Sequence, residues 1–371
     1  MSKNFGIVEL YCGASGKIGF YNNQELGITK AMAKLGYKCF VFYPDIESKT
    51  ISEELHEGVT VVRCPAKHIG VHSFYDWNIL KQYNINYAQI DSDNQLFAPD
   101  VIRFCENNNI LTYNYIGTIR TDSNIKLKNL LSKVLIKRNL DCYKKTKCFV
   151  KTKQLQREMK EYGIESEIVH VGLDLSLIPD ISEDKKTLKK ELGIPEDKDI
   201  LLFVGRLEQY KRPFDMFKIM SKVDDKFFGI MIGTGTLSSE IDNTIQKEFK
   251  EKMIRIDKVE NKKIHQYYKM SECFLNFNEK EIFGMSMLEA TYQGCNVIAI
   301  RSPGAEEIIN DNYSGYLVNG LDEMLGIITA NRKLDPDNMK NEIINGFSWE
   351  NSVVKFDEYL SNNQLRKFGG V

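Results

Sequence analysis

Four charged residues in the second half of the chain have the types and spacing to grip an elongated anion. Arg206 and Lys211 follow Gly205 in LLFVGRLEQYKRP, Leu201 to Pro213, where an apolar strand gives way to a turn. Arginine offers phosphate a bidentate fork and lysine a compact charge, so the pair can clamp a diphosphate. Further along, Glu281 and Glu289 bracket EIFGMSMLE, with Gly284 where a helix should begin. The amides of Phe283, Gly284, Met285 and Ser286 would open that helix, whose dipole favours negative charge. From Gly284 to Glu289 the helix rises about 7.5 Å, roughly the length of a diphosphate joining a ribose to a sugar. One glutamate can then reach hydroxyls at the sugar end, and the other hydroxyls at the ribose end. The bland alternative is a buried αβ unit with two surface glutamates beside a solvated basic turn. It loses ground once both motifs are counted together.

These residues need rigid elements behind them, and the pattern supplies them. Strand-like apolar runs alternate with helical patterns nearly end to end, which predicts an α/β architecture with parallel sheets. In the first half, strands are expected at Gly6–Tyr11, Lys38–Tyr43, Val59–Arg63, Tyr87–Ile90, Ile110–Tyr115, Cys148–Val150 and Glu167–Val169. Helices are expected between them at Asn23–Leu35, Pro99–Asn107 and Ile125–Tyr143. After a polar stretch from Val171 to Lys186 the pattern restarts at Ile200–Val204, Phe227–Ile232, Ile254–Ile256, Cys273–Asn276, Asn296–Ile300 and Gly315–Val318. Two doubly wound, Rossmann-like halves facing a cleft follow from this, with boundaries at residues 1–172 and 173–349.

The chain has 371 residues, enough for two ordinary domains, and its net charge of −1 gives no global pull toward nucleic acid. No charged-then-apolar leader precedes the first strand, and no apolar run approaches a membrane span. The eight cysteines are scattered without a C-x-x-C pair, so they read as reduced thiols of a cytoplasmic protein. The five histidines show no metal spacing.

The Glu281–Val318 segment resembles the Glu-x7-Glu signature of the family 4 retaining glycosyltransferases, which have the GT-B fold. Gly205 to Lys211 is similar to that family's G-R-L-x-x-x-K motif, with Arg212 where a glycine often follows. Phe347 to Glu350 resembles its closing Phe-Ser-Trp-Glu, which implies that a C-terminal helix, 350–371, packs back on the first domain. The resemblance implies an N-terminal acceptor domain and a C-terminal nucleotide-sugar domain. It also implies transfer of a hexosyl or N-acetylhexosaminyl group from a nucleotide diphosphate sugar, expected to be UDP-linked, with retention and without a required metal or other cofactor. The acceptor would be a glycan or a lipid-linked molecule in polysaccharide or glycoconjugate synthesis. In that scheme Arg206 and Lys211 neutralise the leaving diphosphate, Glu281 orients the transferred sugar and Glu289 binds the ribose. A GT-B sugar-nucleotide epimerase or hydrolase, or a non-catalytic sugar-nucleotide binder, would share much of the same pattern.

Three features of the first half add candidates. Gly13, Gly16 and Gly19 lie in the first strand-to-helix loop, where glycine lets the backbone approach a donor closely. Asp91 and Asp93 follow a strand in the Asp-x-Asp pattern of the other glycosyltransferase fold, but that pattern recurs at Asp197/Asp199 and Asp335/Asp337. They are therefore discounted as a metal site and kept as acceptor-facing residues. Asn114 stands where many relatives have a histidine, and it can hydrogen-bond a sugar hydroxyl but cannot act as a base near neutral pH. Finally, residues 123–153 carry ten Lys/Arg against Asp141 alone, with Leu127, Leu130, Leu131, Val134 and Leu135 at helical spacing. A basic amphipathic helix of this kind can meet an anionic membrane surface from the cytoplasmic side, or simply bury its apolar face in the core.

Overall fold

In the computed structural model, residues 3–12, 24–46, 49–119 and 126–368 are described. They fall into two compact units, Met1–Gly172 with Trp349–Val371, and Leu173–Ser348.

Unit 1 carries β1 (Asn4–Glu9), β2 (Lys38–Asp45), β3 (Ile51–His56), β4 (Val59–Ile69), β5 (His72–Tyr75), β6 (Tyr87–Asp91), β7 (Leu111–Ile116), β8 (Lys147–Val150) and β9 (Glu167–Ile168). They form a sheet in the order β3-β4-β2-β1-β6-β7-β8-β9, with β5 hydrogen-bonded to β4. The central pairs are parallel, so their strands are covered on both faces and read as unbroken apolar runs such as CFVFY. β3 and β5 are antiparallel to β4 and were not expected from the sequence. The β3 stretch, ISEELH, is exposed along nearly its whole length, so no buried face imposes an apolar alternation on it.

The terminal helix Trp349–Phe368 belongs to this unit. Its Phe356 ring lies 4.8 Å from Tyr113 and 4.9 Å from Phe149, ring centre to ring centre. Trp349 sits against Gly27, where a Cβ would stand 2.2 Å from the indole. Lys34 pairs with Glu350 at 2.6 Å, and the Tyr37 hydroxyl donates to Asp357 at 2.7 Å. Trp349 and Glu350 of the Phe-Ser-Trp-Glu motif thus begin a helix held by aromatic packing on β7 and β8 and by contacts with the helix Gln24–Lys34, while Phe347 ends the preceding helix.

Unit 2 has β10 (Asp199–Val204), β11 (Phe227–Ile232), β12 (Met253–Ile256), β13 (Cys273–Asn276), β14 (Asn296–Ile300) and β15 (Tyr316–Val318). All are parallel, in the order β12-β11-β10-β13-β14-β15. Alternate residues feed two cores, one on each face. Ile200, Leu202, Phe274, Val297 and Ala299 enter one, and Leu201, Phe203, Leu275, Ile298 and Ile300 the other. Where the chain enters and leaves the unit, the Leu173 amide donates to the Phe347 carbonyl at 2.7 Å.

Candidate donor site in the second unit

The strand order of unit 2 reverses between β10 and β13. Loops leaving the carboxyl ends of such a pair are where open α/β sheets bind ligands. Gly205 and Arg206 follow β10, and Glu281 lies in the loop after β13, so the two motifs that stand far apart in sequence open at the same point.

The β10 loop is clamped by backbone bonds from Gly205 to Ile232 (3.0 Å) and from Leu207 to Thr234 (3.0 Å). Two glycines after β11 make this approach possible. A Cβ on Gly233 would stand 1.9 Å from the Gly205 carbonyl oxygen, and one on Gly235 would stand 2.3 Å from that of Leu207. Glu208 ties the same loops together, accepting from the Thr236 amide at 3.1 Å and its hydroxyl at 2.6 Å. Neither glycine was singled out in the sequence, although the G-T-G at 233–235 directly after a strand was a usable signal.

On this platform the Arg206 guanidinium lies 5.4 Å from the centre of the exposed Tyr210 ring, and Lys211 Nζ lies 5.6 Å from it. Lys211 is ion-paired with Glu281 Oε2, which also accepts from Asn278 Nδ2 at 3.1 Å. Asn278 is 2% exposed and is itself pinned, its amide N–H donating to Asn276 Oδ1 at 2.9 Å. Arg206 has no ion pair among the described residues, so one cation is free to meet an anion while the other is held by a carboxylate.

Arg212 occupies the position where the family motif often has glycine, and its backbone explains that preference: φ is 53° and ψ 46°, the left-handed region. Here the arginine is held there by Asp215 at 2.7 Å and by an ion pair with Glu279, on the same loop as Glu281.

Gly284 caps the helix Met285–Tyr292 with φ 98°, again a conformation that favours glycine. The first-turn amides, including Met285 and Ser286, have no carbonyl inside the helix to bond. Phe283 contributes only backbone to this end, because its ring turns toward Phe347. The loop is buttressed by Gly304, whose amide donates to the Glu281 carbonyl at 2.7 Å and whose Cβ position is filled by the Phe283 nitrogen at 2.6 Å. Glu289, on the same helix, accepts from the Tyr268 hydroxyl at 2.9 Å, and burial pushes its carboxyl up to about 7.

Residues 184–324 match the glycosyl transferases group 1 family. An uncharacterised glycosyltransferase of Methanocaldococcus jannaschii is 24% identical over 354 residues, covering 86% of this chain and 88% of that one. These matches support a family 4-like glycosyltransferase of the GT-B fold. The fold is shared with sucrose-phosphate synthase from Thermosynechococcus elongatus, at a TM-score of 0.76 and 13% identity, covering 98% of this chain and all of that one. It is shared also with Anabaena HepE, solved with UDP and glucose, at a TM-score of 0.68 and 13% identity over 97% of this chain.

In unit 1 the remaining candidates separate. Asp93 Oδ1 accepts the Gly117 amide at 2.6 Å, which makes it a loop staple. Asp91 lies at the end of β6 and accepts from Gln89 at 2.8 Å. Asn114 does not face a sugar-sized opening as the sequence suggested. It is 1% exposed, and its amide donates to Thr146 Oγ1 at 2.7 Å, because its place in β7 turns it into the core. Gly16, with Gly13 and Gly19, lies outside the described residues. The basic stretch forms the helix Lys126–Tyr143. The side chains of Lys126, Leu127, Lys128, Leu130, Leu131 and Lys133 lie outside the described residues, while Val134 is exposed and Leu140 buried. No helix among the described residues is long and apolar enough to cross a membrane.

Proposed function

We propose that this glycosyltransferase moves a hexosyl or N-acetylhexosaminyl group from a UDP-linked donor to a glycan or lipid-linked acceptor, with retention of anomeric configuration. The observation that carries this reading is the Lys211–Glu281 ion pair at the switch point of unit 2, with Arg206 and Lys211 both near the Tyr210 ring and the helix Met285–Tyr292 opening after the Glu281 loop. HepE, the structural neighbour solved with UDP and glucose, supports the donor class.

The donor diphosphate lies against Arg206 and the helix amides, and its arrival draws Lys211 away from Glu281. Both cations then face the oxygen on which negative charge develops as the sugar leaves, so their stabilisation is greatest in the transition state. Because fixed protein cations neutralise that charge, transfer should proceed without an added metal ion. Glu281, released from Lys211 but still held by Asn278, accepts hydroxyls of the transferred sugar and opposes positive charge at its anomeric carbon. Glu289 accepts the ribose hydroxyls. The leaving phosphate itself takes the acceptor proton on the same face, which retains configuration. The basic helix is proposed as a peripheral contact with an anionic cytoplasmic membrane surface that carries the acceptor.

A screen of nucleotide sugars by thermal shift and slow donor hydrolysis tests the donor assignment. Stabilisation by UDP-sugars over the free sugars supports it, and no response to any nucleotide would remove it.

A further inference from the structure

The carboxyl ends of β1 and β6, at the point where the strand order of unit 1 reverses, gather charged groups that the transfer chemistry does not use. Glu9 ends β1, Asp91 ends β6, and Glu25 lies in the first turn of helix Gln24–Lys34. One carboxylate oxygen from each lies within 4.8 Å of the others. Asp93 and Lys151 act on the same cluster, so four carboxylates meet a single ammonium. Local bonds account for part of this. Glu9 Oε1 accepts the amides of Leu10 (2.9 Å) and Tyr11 (2.7 Å), and Lys151 Nζ donates to Gln24 Oε1 at 3.2 Å, 4.7 Å above the Tyr115 ring.

Glu25 is different. It is 6% exposed, its carboxyl meets the Tyr43 hydroxyl, and yet its Oε2 has no hydrogen-bond partner among the described residues. A buried carboxylate oxygen without a donor is costly, and a second carboxylate nearby makes it more so. Burial holds Glu25 above the ordinary carboxylate range, and burial reinforced by neighbouring carboxylates raises Glu9 and pushes Asp91 up to about 7.

We propose that Glu9, Glu25 and Asp91 form a cation-binding pocket in unit 1, which takes a hard divalent ion or the ammonium group of an amine-bearing ligand. Oxygens no more than 4.8 Å apart need only a small side-chain adjustment to lie about 2.3–2.6 Å from a calcium-sized ion between them. They can equally accept the three N–H bonds of one ammonium at about 2.8 Å. A neutral polyol would supply donors but leave the carboxylates repelling one another, so the excess of negative charge selects a positive partner. This pocket stands independently of the sugar-transfer reading.

Calorimetric titration of the chelator-treated full chain with calcium, magnesium and manganese, and separately with glucosamine, tests the proposal and tells the two sources apart. We expect one of these to bind within ~1 mM, the weak end for oxygen-ligand sites. Glu25→Gln should weaken that binding at least tenfold, with an unchanged circular dichroism spectrum. Glu9→Gln serves the same purpose if Glu25→Gln does not fold. Lys151→Met, which removes the competing ammonium, should tighten binding, an effect that a purely structural lysine would not produce. Absence of heat with every cation, or equal binding by Glu25→Gln, would overturn the pocket.

Discussion

Lys211 and Glu281, seventy residues apart in sequence, are each other's ion-pair partner, and Asn278 donates to the same carboxylate oxygen. With 21% and 12% of their side chains exposed, the two are shielded enough for the pairing to matter. In the proposed reaction this pair keeps the two charges neutralised against each other until the donor phosphate competes for the lysine.

Glu281→Gln and Lys211→Ala should each lower turnover by about 10²–10³ while leaving the fold intact, the usual loss for one preorganised charge-stabilising group. Because the residues touch, the double variant should lose less than the product of the two single losses. Steady-state kinetics on variants with unchanged thermal midpoints provides the check. Near-normal rates would remove both residues from the chemistry.

Glu289 predicts a pH dependence with a definite sign. Its carboxyl is raised to about 7 in the folded, ligand-free protein. Its contribution to stability is therefore present below the ordinary carboxylate range and is lost as pH rises through 7. Ribose hydroxyls favour the ionised carboxylate, so nucleotide affinity should move the opposite way, rising up to about tenfold per pH unit below 7 and levelling above it. Tyr268→Phe removes a bond that favours the charged form and should displace the profile to higher pH, whereas Glu289→Ala should flatten it and weaken binding. Calorimetry of UDP from pH 5.5 to 8.5 reads all three; an affinity independent of pH would exclude Glu289 from the nucleotide site.

Gly304→Ala places a methyl carbon against the backbone of Ile282 and Phe283, at 2.6–2.7 Å. Backbone cannot yield as a flexible side chain does, so the Glu281 loop must shift. We expect a marked loss of activity with a small change in overall stability, since the helix beginning at Pro303 can move as a piece. Unchanged kinetics would show that the loop position is not critical.

Much of this was legible in the sequence, for identifiable reasons. Parallel strands buried on both faces, such as Leu201 to Val204, leave apolar runs that give their positions to within a residue or two. Gly284, Glu281 and Lys211 belong to motifs whose chemistry is readable from type and spacing. What stayed hidden depends on pairing across the sheet. Asn278 reads as an ordinary loop polar residue until its bond to Glu281 is seen, and Gly233 gains its meaning only from the Gly205 carbonyl facing it. Asn114 was misread because β7 runs on to Ile116 and is covered on both faces, so position 114 lies inside the core instead of at an open strand end.

The basic helix gives a prediction of its own. Binding to vesicles containing anionic lipid should fall as salt rises, each exposed lysine being worth about 1 kcal/mol near such a surface. Reversing Lys126, Lys133 and Lys137 to Glu should release the protein and reduce transfer to a lipid-linked acceptor, while donor hydrolysis at unit 2 persists. Absence of vesicle binding by the parent protein at low salt would favour an acceptor in solution.

The most direct test of sugar transfer by the Lys211–Glu281 site follows the anomeric proton by NMR while the enzyme turns over an α-linked UDP-sugar, with Glu281→Gln alongside. We expect UDP to be released and the first-formed product to be α-linked, with the variant at least a hundredfold slower. A β-linked first product would contradict retention, and equal UDP release by Glu281→Gln would contradict the site.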